Sequence, residues 1–212
     1  MKKTLPLIVI LACCLQSSSS AFDQSADKTK AEQTRQVERQ VLTSTYLPSI
    51  RIKFDDKFKY AGTQKFILYE KAQVEQYFFV DADSQRRIKR MYMVQFEGYL
   101  PGIDAAYNYP VTETVTLVGQ TYIVNAESIP NVSAVLKQDP QSDAARAASF
   151  LESKGYTISE SIRFQRFVRL LDQAKRNEII MLYIEDAGAS SAGENDGKQF
   201  LARALKGFTI LK

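Results

Sequence analysis

The sequence predicts an α+β domain: a mostly antiparallel, curved sheet with one long helix and a short C-terminal helix packed on it. Three observations predict it. Residues 64–100, QKFILYEKAQVEQYFFVDADSQRRIKRMYMVQFEGYL, are the densest run of aromatic and β-branched residues in the chain, and such residues favour strands. From Ile88 to Tyr99 the alternation is apolar on both sides, with Ile88, Tyr92, Val94 and Phe96 on one face and Met91, Met93 and Tyr99 on the other. That pattern marks a central strand covered twice. Finally, strands in meander order are followed by one strong helical pattern, a strand pair and a weaker closing helix.

The N-terminus reads as a secretory signal peptide over residues 1–21. Lys2 and Lys3 give the charged start, Leu5 to Leu15 a short apolar run, and Ser19-Ser20-Ala21 a small-residue cleavage site before Phe22. The run is too short to span a bilayer. The expected location is therefore periplasmic or secreted. Ile10-Leu11-Ala12-Cys13 raises an alternative, a lipoprotein anchored through a lipidated Cys13. The two cysteines of the chain are Cys13 and Cys14. Cleavage after Ala21 leaves a thiol-free domain that packing alone must stabilise.

Residues 22–47 are polar and read as a tether, part helical from Lys30 to Val41 and stopped before Pro48. Residues 48–212 read as a single domain. Alternation from Arg51 to Tyr60 predicts a strand, with Ala61-Gly62-Thr63 as a hairpin turn. Gln64 to Asp81 is extended, as one bent strand or two, and no Gly or Pro marks a break. Asp81-Ala82-Asp83-Ser84 is the next turn. Residues 98–111 form a loop with two prolines, two glycines and three tyrosines, of the kind that makes a binding surface or a flap over a core. Thr114 to Asn125 is a hairpin around Gly119-Gln120. For the long helix, Asp139 fits the N-cap, Pro140 the first turn and Gly155 the stop, with Ala144, Ala147, Ala148 and Leu151 as its apolar stripe. Ser161–Leu171 and Glu178–Glu185 pair as strands. Residues 187–197 are a loop by composition, and Lys198–Lys206 is the closing helix, turning Phe200, Leu201, Ala204 and Leu205 inward before Gly207.

Composition closes off several chemistries. There is no histidine, which removes the commonest metal ligand, general base and pH switch. The net charge of +4 falls to +2 without Lys2 and Lys3, too balanced for a nucleic-acid partner. The phosphate-loop, dinucleotide, nucleophile-elbow and zinc-protease signatures do not occur. Gly188-Ala189-Ser190 starts like an elbow but meets Ala192 where glycine is needed, and Ser25-Ala26-Asp27-Lys28 lies in a polar segment that does not desolvate its lysine. Asp81 and Asp83 lack the third acid of a cation loop and read as a strand-end turn. Asn131-Val132-Ser133 is a glycosylation sequon without meaning behind a bacterial signal. No cofactor and no metal are expected.

Arg166 is the most informative residue. It shares a strand face with Ile162, Phe164, Val168 and Leu170, and a cation among core residues needs an internal carboxylate or a cavity holding an anionic group. The candidate ligand pocket is Arg166 with Tyr92, Phe96, Tyr99, Tyr107 and Tyr109. The bland reading is a structural ion pair and aromatic core filling. Arg86, Arg87, Lys89 and Arg90 are candidates for contact with an anionic surface, or else a solvated hairpin end that blunts a strand edge. The first functional expectation is an exported non-catalytic domain that binds an amphipathic or anionic small molecule, or an envelope protein partner, at the sheet surface beside the 98–111 loop. Membrane contact is peripheral or through Cys13. The alternatives are a cell-envelope protein-interaction module and a hydrolase using paired carboxylates, Glu97 and Glu75.

Overall fold

The structure is a computed structural model and describes residues 34–189 and 196–211. The signal-peptide reading, Cys13, Ser25–Lys28 and Ser190 therefore lie outside the described residues. All the described residues belong to one compact unit.

Among them the architecture is α+β and mostly antiparallel, with the strands in two sheets. A small sheet has the order β1–β2–β3–β11, from Arg35–Glu38, Val41–Ser44, Ile50–Phe54 and Phe208–Leu211. A seven-stranded sheet has the order β4–β5–β6–β10–β9–β8–β7. Its strands are β4 Lys59–Leu68, β5 Ala72–Ala82, β6 Ile88–Tyr99, β7 Thr114–Leu117, β8 Gln120–Ile129, β9 Ile162–Leu170 and β10 Asn177–Asp186. The helices are α1 Val132–Gln138, α2 Asp143–Ser153 and α3 Asp196–Lys206.

The two apolar faces of β6 explain the layering. Tyr92, Val94 and Phe96 join Phe54, Tyr77, Phe79, Ile179, Tyr183 and Phe208 in the larger core, between the sheets. Phe54 stacks on Phe79 at 3.9 Å, and Phe58 meets Tyr92 edge-on at 4.7 Å. Met91 and Met93 turn the other way, to Phe78, Val80 and the Ala147 and Leu151 face of α2. Burial of each such large side chain contributes about 1.5–3 kcal/mol. Helix α3 packs in the larger core through Phe200 and Ala204 and α2 in the other, so the two helices lie on opposite faces of the large sheet.

Several local expectations are corrected. Residues 35–38 and 41–44 are strands of the small sheet, not tether or helix. Ala61-Gly62-Thr63 is no turn: it lies inside β4, where the register with β5 shifts between Tyr60 and Gly62 and Gly62 takes φ +132°, a bulge. The break between β4 and β5 falls at Tyr69-Glu70, both left-handed, at φ 49° and 59°. Neither is a residue that usually signals such a turn. Helix α2 starts at Asp143, capped by the Ser142 hydroxyl, which accepts from the Ala145 N–H at 3.1 Å. Asp139 instead ends α1, itself capped by Asn131, because a residue before proline avoids helical backbone. The helical stretch from 132 to 153 is thus two short helices. Val118-Gly119, rather than Gly119-Gln120, turns the β7–β8 hairpin.

Candidate functional site

The site grows from one register. β6 pairs with β10 so that Glu97 stands directly opposite Glu178, beside the pairs Gln95–Ile180 and Met93–Leu182. Residues opposite each other share a face and sit within about 4.5–5.5 Å at Cβ. Both acids therefore face the helix side, and Glu178 is buried to 1% exposure.

The 100–113 loop covers them. Arg176 holds it, its guanidinium donating to the carbonyls of Leu100 (3.0 Å), Ala105 (3.2 Å) and Ile103. Tyr107, stacked on Tyr99 at 4.5 Å, donates its hydroxyl to Glu97 at 2.9 Å. Tyr109 donates to Glu178 at 2.9 Å. The second oxygen of Glu178 is buried without a hydrogen-bond partner among the described residues. A row of amides leads in from the sheet edge: Gln64 to Gln76 (2.7 Å), Gln76 to Gln95 (2.6 Å), and Gln95 to both Glu97 (2.7 Å) and Asp143 at the start of α2 (3.0 Å).

Burial pushes the Glu178 carboxyl up to about 8, and the facing Glu97 charge adds to the rise; Tyr109 and the Arg166 cation pull against it. Glu97 is raised as well, chiefly by burial. At neutral pH Glu178 thus holds its proton, as expected of a carboxyl that shares a dry site with a second acid. The phenols of Tyr107 and Tyr109 are pushed up by burial and by the glutamates they bond.

Arg166 lies on the same face, opposite Leu182 on one side and Asn125 on the other. Its Nε–H donates to the Asn125 amide oxygen at 2.8 Å, and its guanidinium sits 5.5 Å from the Tyr109 ring centre. Among the described residues no carboxylate lies within ion-pair distance of it. Its neighbour Leu182 is part of the wall of an apolar cleft between α1, α2 and the sheet. The cleft holds about 100 Å³ and is also lined by Met91, Met93, Val132, Leu151 and Ile162.

Of the residues singled out from sequence, Arg166, Tyr107 and Tyr109 come together, with Tyr99 stacked behind. Tyr92 and Phe96 do not: they face the space between the sheets, where Tyr92 donates to the Ala204 carbonyl at 2.6 Å and Phe96 lies beneath the Arg35 guanidinium at 4.0 Å. Glu75 and Glu97 also part company. Glu75 pairs across from Phe96 and bonds Arg35 at 2.9 Å on the inter-sheet face. The basic cluster is largely engaged. Arg87 pairs with Asp83 at 2.7 Å and Arg90 with Asp81, while Arg86 donates to the Lys154 carbonyl at 2.7 Å and stacks on Tyr156. Lys89 remains exposed.

Glu178, Asn125 and Asp143 are the site residues that sequence reasoning missed. The signal for Glu178 is the one that marks Arg166: it shares strand parity with Ile180, Leu182 and Ile184, a charged group in line with a buried face. No helix among the described residues is long and apolar enough to cross a membrane, and no group of three or more metal-ligating side chains is present among them. No known protein family, curated protein or solved structure matches the chain.

Proposed function

We propose that this is an exported, non-catalytic domain that binds a small amphipathic anion on the helix-side face of its large sheet. The apolar part lies in the cleft under α1 and α2, and the anionic head meets Arg166 beside Tyr109. One observation carries the reading: Arg166 sits next to a wall of an apolar cleft and, among the described residues, has an amide and not a carboxylate as its side-chain hydrogen-bond partner. A guanidinium so placed favours a ligand anion. Native mass spectrometry of protein purified from the source organism's envelope tests it. A retained small anion, lost in Arg166→Gln, supports the reading; a retained protein in its place sinks it.

A second reading, acid–base hydrolysis, is favoured by the Glu97–Glu178 register, which sets two buried carboxyls opposite each other, that of Glu178 protonated at neutral pH. It requires the Tyr107–Tyr109 loop to lift. Turnover of chromogenic glycosides or esters by the wild type but not by Glu97→Gln supports it, and no turnover across such a panel removes it.

A further inference from the structure

On the opposite face of the large sheet lies a second cationic position that none of the above uses. Arg169 stands opposite Ile179, which belongs to the inter-sheet core, so its side chain enters the gap between the sheets. There it lies 5.8 Å from the ring centre of Tyr122. Tyr122 is buried to 0% exposure, and its hydroxyl has no hydrogen-bond partner among the described residues. Burial raises the phenol's pKa, and Arg169, whose cation lies close enough to donate toward the phenol oxygen, pulls it back; the hydroxyl proton itself meets no acceptor among the described residues. Both groups line a pocket of about 190 Å³ where the β7–β8 hairpin approaches β11. Its other walls are apolar at Ile50, Leu117, Ile210 and Leu211 and polar at Ser49 and Gln120, and among the described residues no acidic side chain lines it. Among the described residues Arg169 has no ion-pair partner.

We propose that this pocket binds a short-chain aliphatic carboxylate. A guanidinium and an unpartnered phenol hydroxyl give two donors for the two oxygens of one carboxylate, the pairing for which arginine is suited. A buried hydroxyl proton without an acceptor is unfavourable, and a half-buried cation with no ion pair among the described residues favours an anion; one carboxylate meets both needs. The Ile50, Leu117, Ile210 and Leu211 side of the wall takes an aliphatic tail. At about 30 Å³ for each water-sized group, the volume admits about six to seven such groups, which fits a carboxylate of about four or five carbons once its two oxygens are counted. The pocket lies between the sheets and the cleft under α1 and α2 on the other side of β9 and β10, so the two sites do not depend on each other.

The test is a titration of the purified full chain, ¹³C-labelled at isoleucine and leucine methyls, with valerate, acetate, pentanol and pentylamine. Valerate is expected to give saturable shifts at Ile50, Leu117 and Ile210. Acetate, pentanol and pentylamine are expected to bind about tenfold more weakly or worse. Arg169→Gln should weaken valerate about tenfold, and Tyr122→Phe by about three- to tenfold. If Arg169→Gln does not fold, Tyr122→Phe, which removes one atom, carries the test alone. The proposal is overturned by any of four results: no saturable shift up to about 50 mM valerate; equal binding of acetate or pentanol; unaltered affinity in folded variants; or shifts confined to Ile129, Leu182 and Ile184, which would put the ligand in the cleft.

Discussion

Replacing Glu178 by glutamine gives the sharpest check on the buried carboxyl pair. Folding raises this carboxyl from an ordinary 4.5 to about 8. Between those values the native state keeps a proton that the unfolded chain has released. Stability from this group is therefore full below the unfolded pKa and is lost as pH rises through the folded one. The slope approaches ~1.4 kcal/mol per pH unit while one proton separates the two states. Because the pair titrates jointly with Glu97, the total by about pH 9 is of the order of a few kcal/mol. Glutamine keeps the oxygen that accepts from Tyr109 and cannot ionise. Urea denaturation of wild type and Glu178→Gln from about pH 5 to about pH 9 should thus show stabilities that start close together and diverge, with the variant increasingly the more stable. Taking the difference cancels every other titrating group to first order. Parallel curves would refute the argument, because they would mean that Glu178 ionises in the folded state as readily as in the unfolded one.

Other outcomes follow from the packing. Gly207→Ala should destabilise by about 2 kcal/mol or more, since a Cβ there would lie 2.8 Å from ring carbons of Tyr92; a thermal melt reads the loss. Tyr92→Phe leaves the Ala204 carbonyl without its donor, and should cost about 1–3 kcal/mol in urea denaturation. Leu151→Ala, at a fully buried position under α2, should cost about 2–5 kcal/mol, measured in the same way. Arg176→Ala removes the anchors of the 100–113 loop, and should raise amide exchange at residues 101–109 with little change in the strands; uniform exchange across the chain would count against a local role.

The difference between what could be read and what could not lies in the range of the signal. The alternation of Ile88–Tyr99 identified a strand with two covered faces because period two is a local property, and β6 occupies that span with those faces except at Ile88, which joins Met91 and Met93 where the register with β5 shifts. The pairing of Ser161–Leu171 with Glu178–Glu185 was legible for the same reason, and β9 and β10 pair there. The β4–β5 turn was hidden because left-handed backbone falls on Tyr69 and Glu70. The start of α2 was misplaced because Asp139-Pro140 suits a helix start as well as the end of the preceding one.

Parity tells which face a side chain takes but not which strand lies alongside, and this divides the candidate site. By itself the sequence determined that Arg166 lies on a core-facing row, that residues 98–111 form a tyrosine-rich loop and that Glu97 is out of phase with Phe96. Only the tertiary structure decided that β10 enters between β6 and β9, so that Glu97 meets Glu178 rather than Glu75. The same is true of β11, which completes a second sheet and leaves Tyr92 and Phe96 in the layer between the sheets, away from Arg166. The physical reason is that strand pairing joins residues about eighty positions apart through backbone hydrogen bonds, which are the same for every side chain; the choice of neighbour rests on the summed burial of both faces and is written in no single segment.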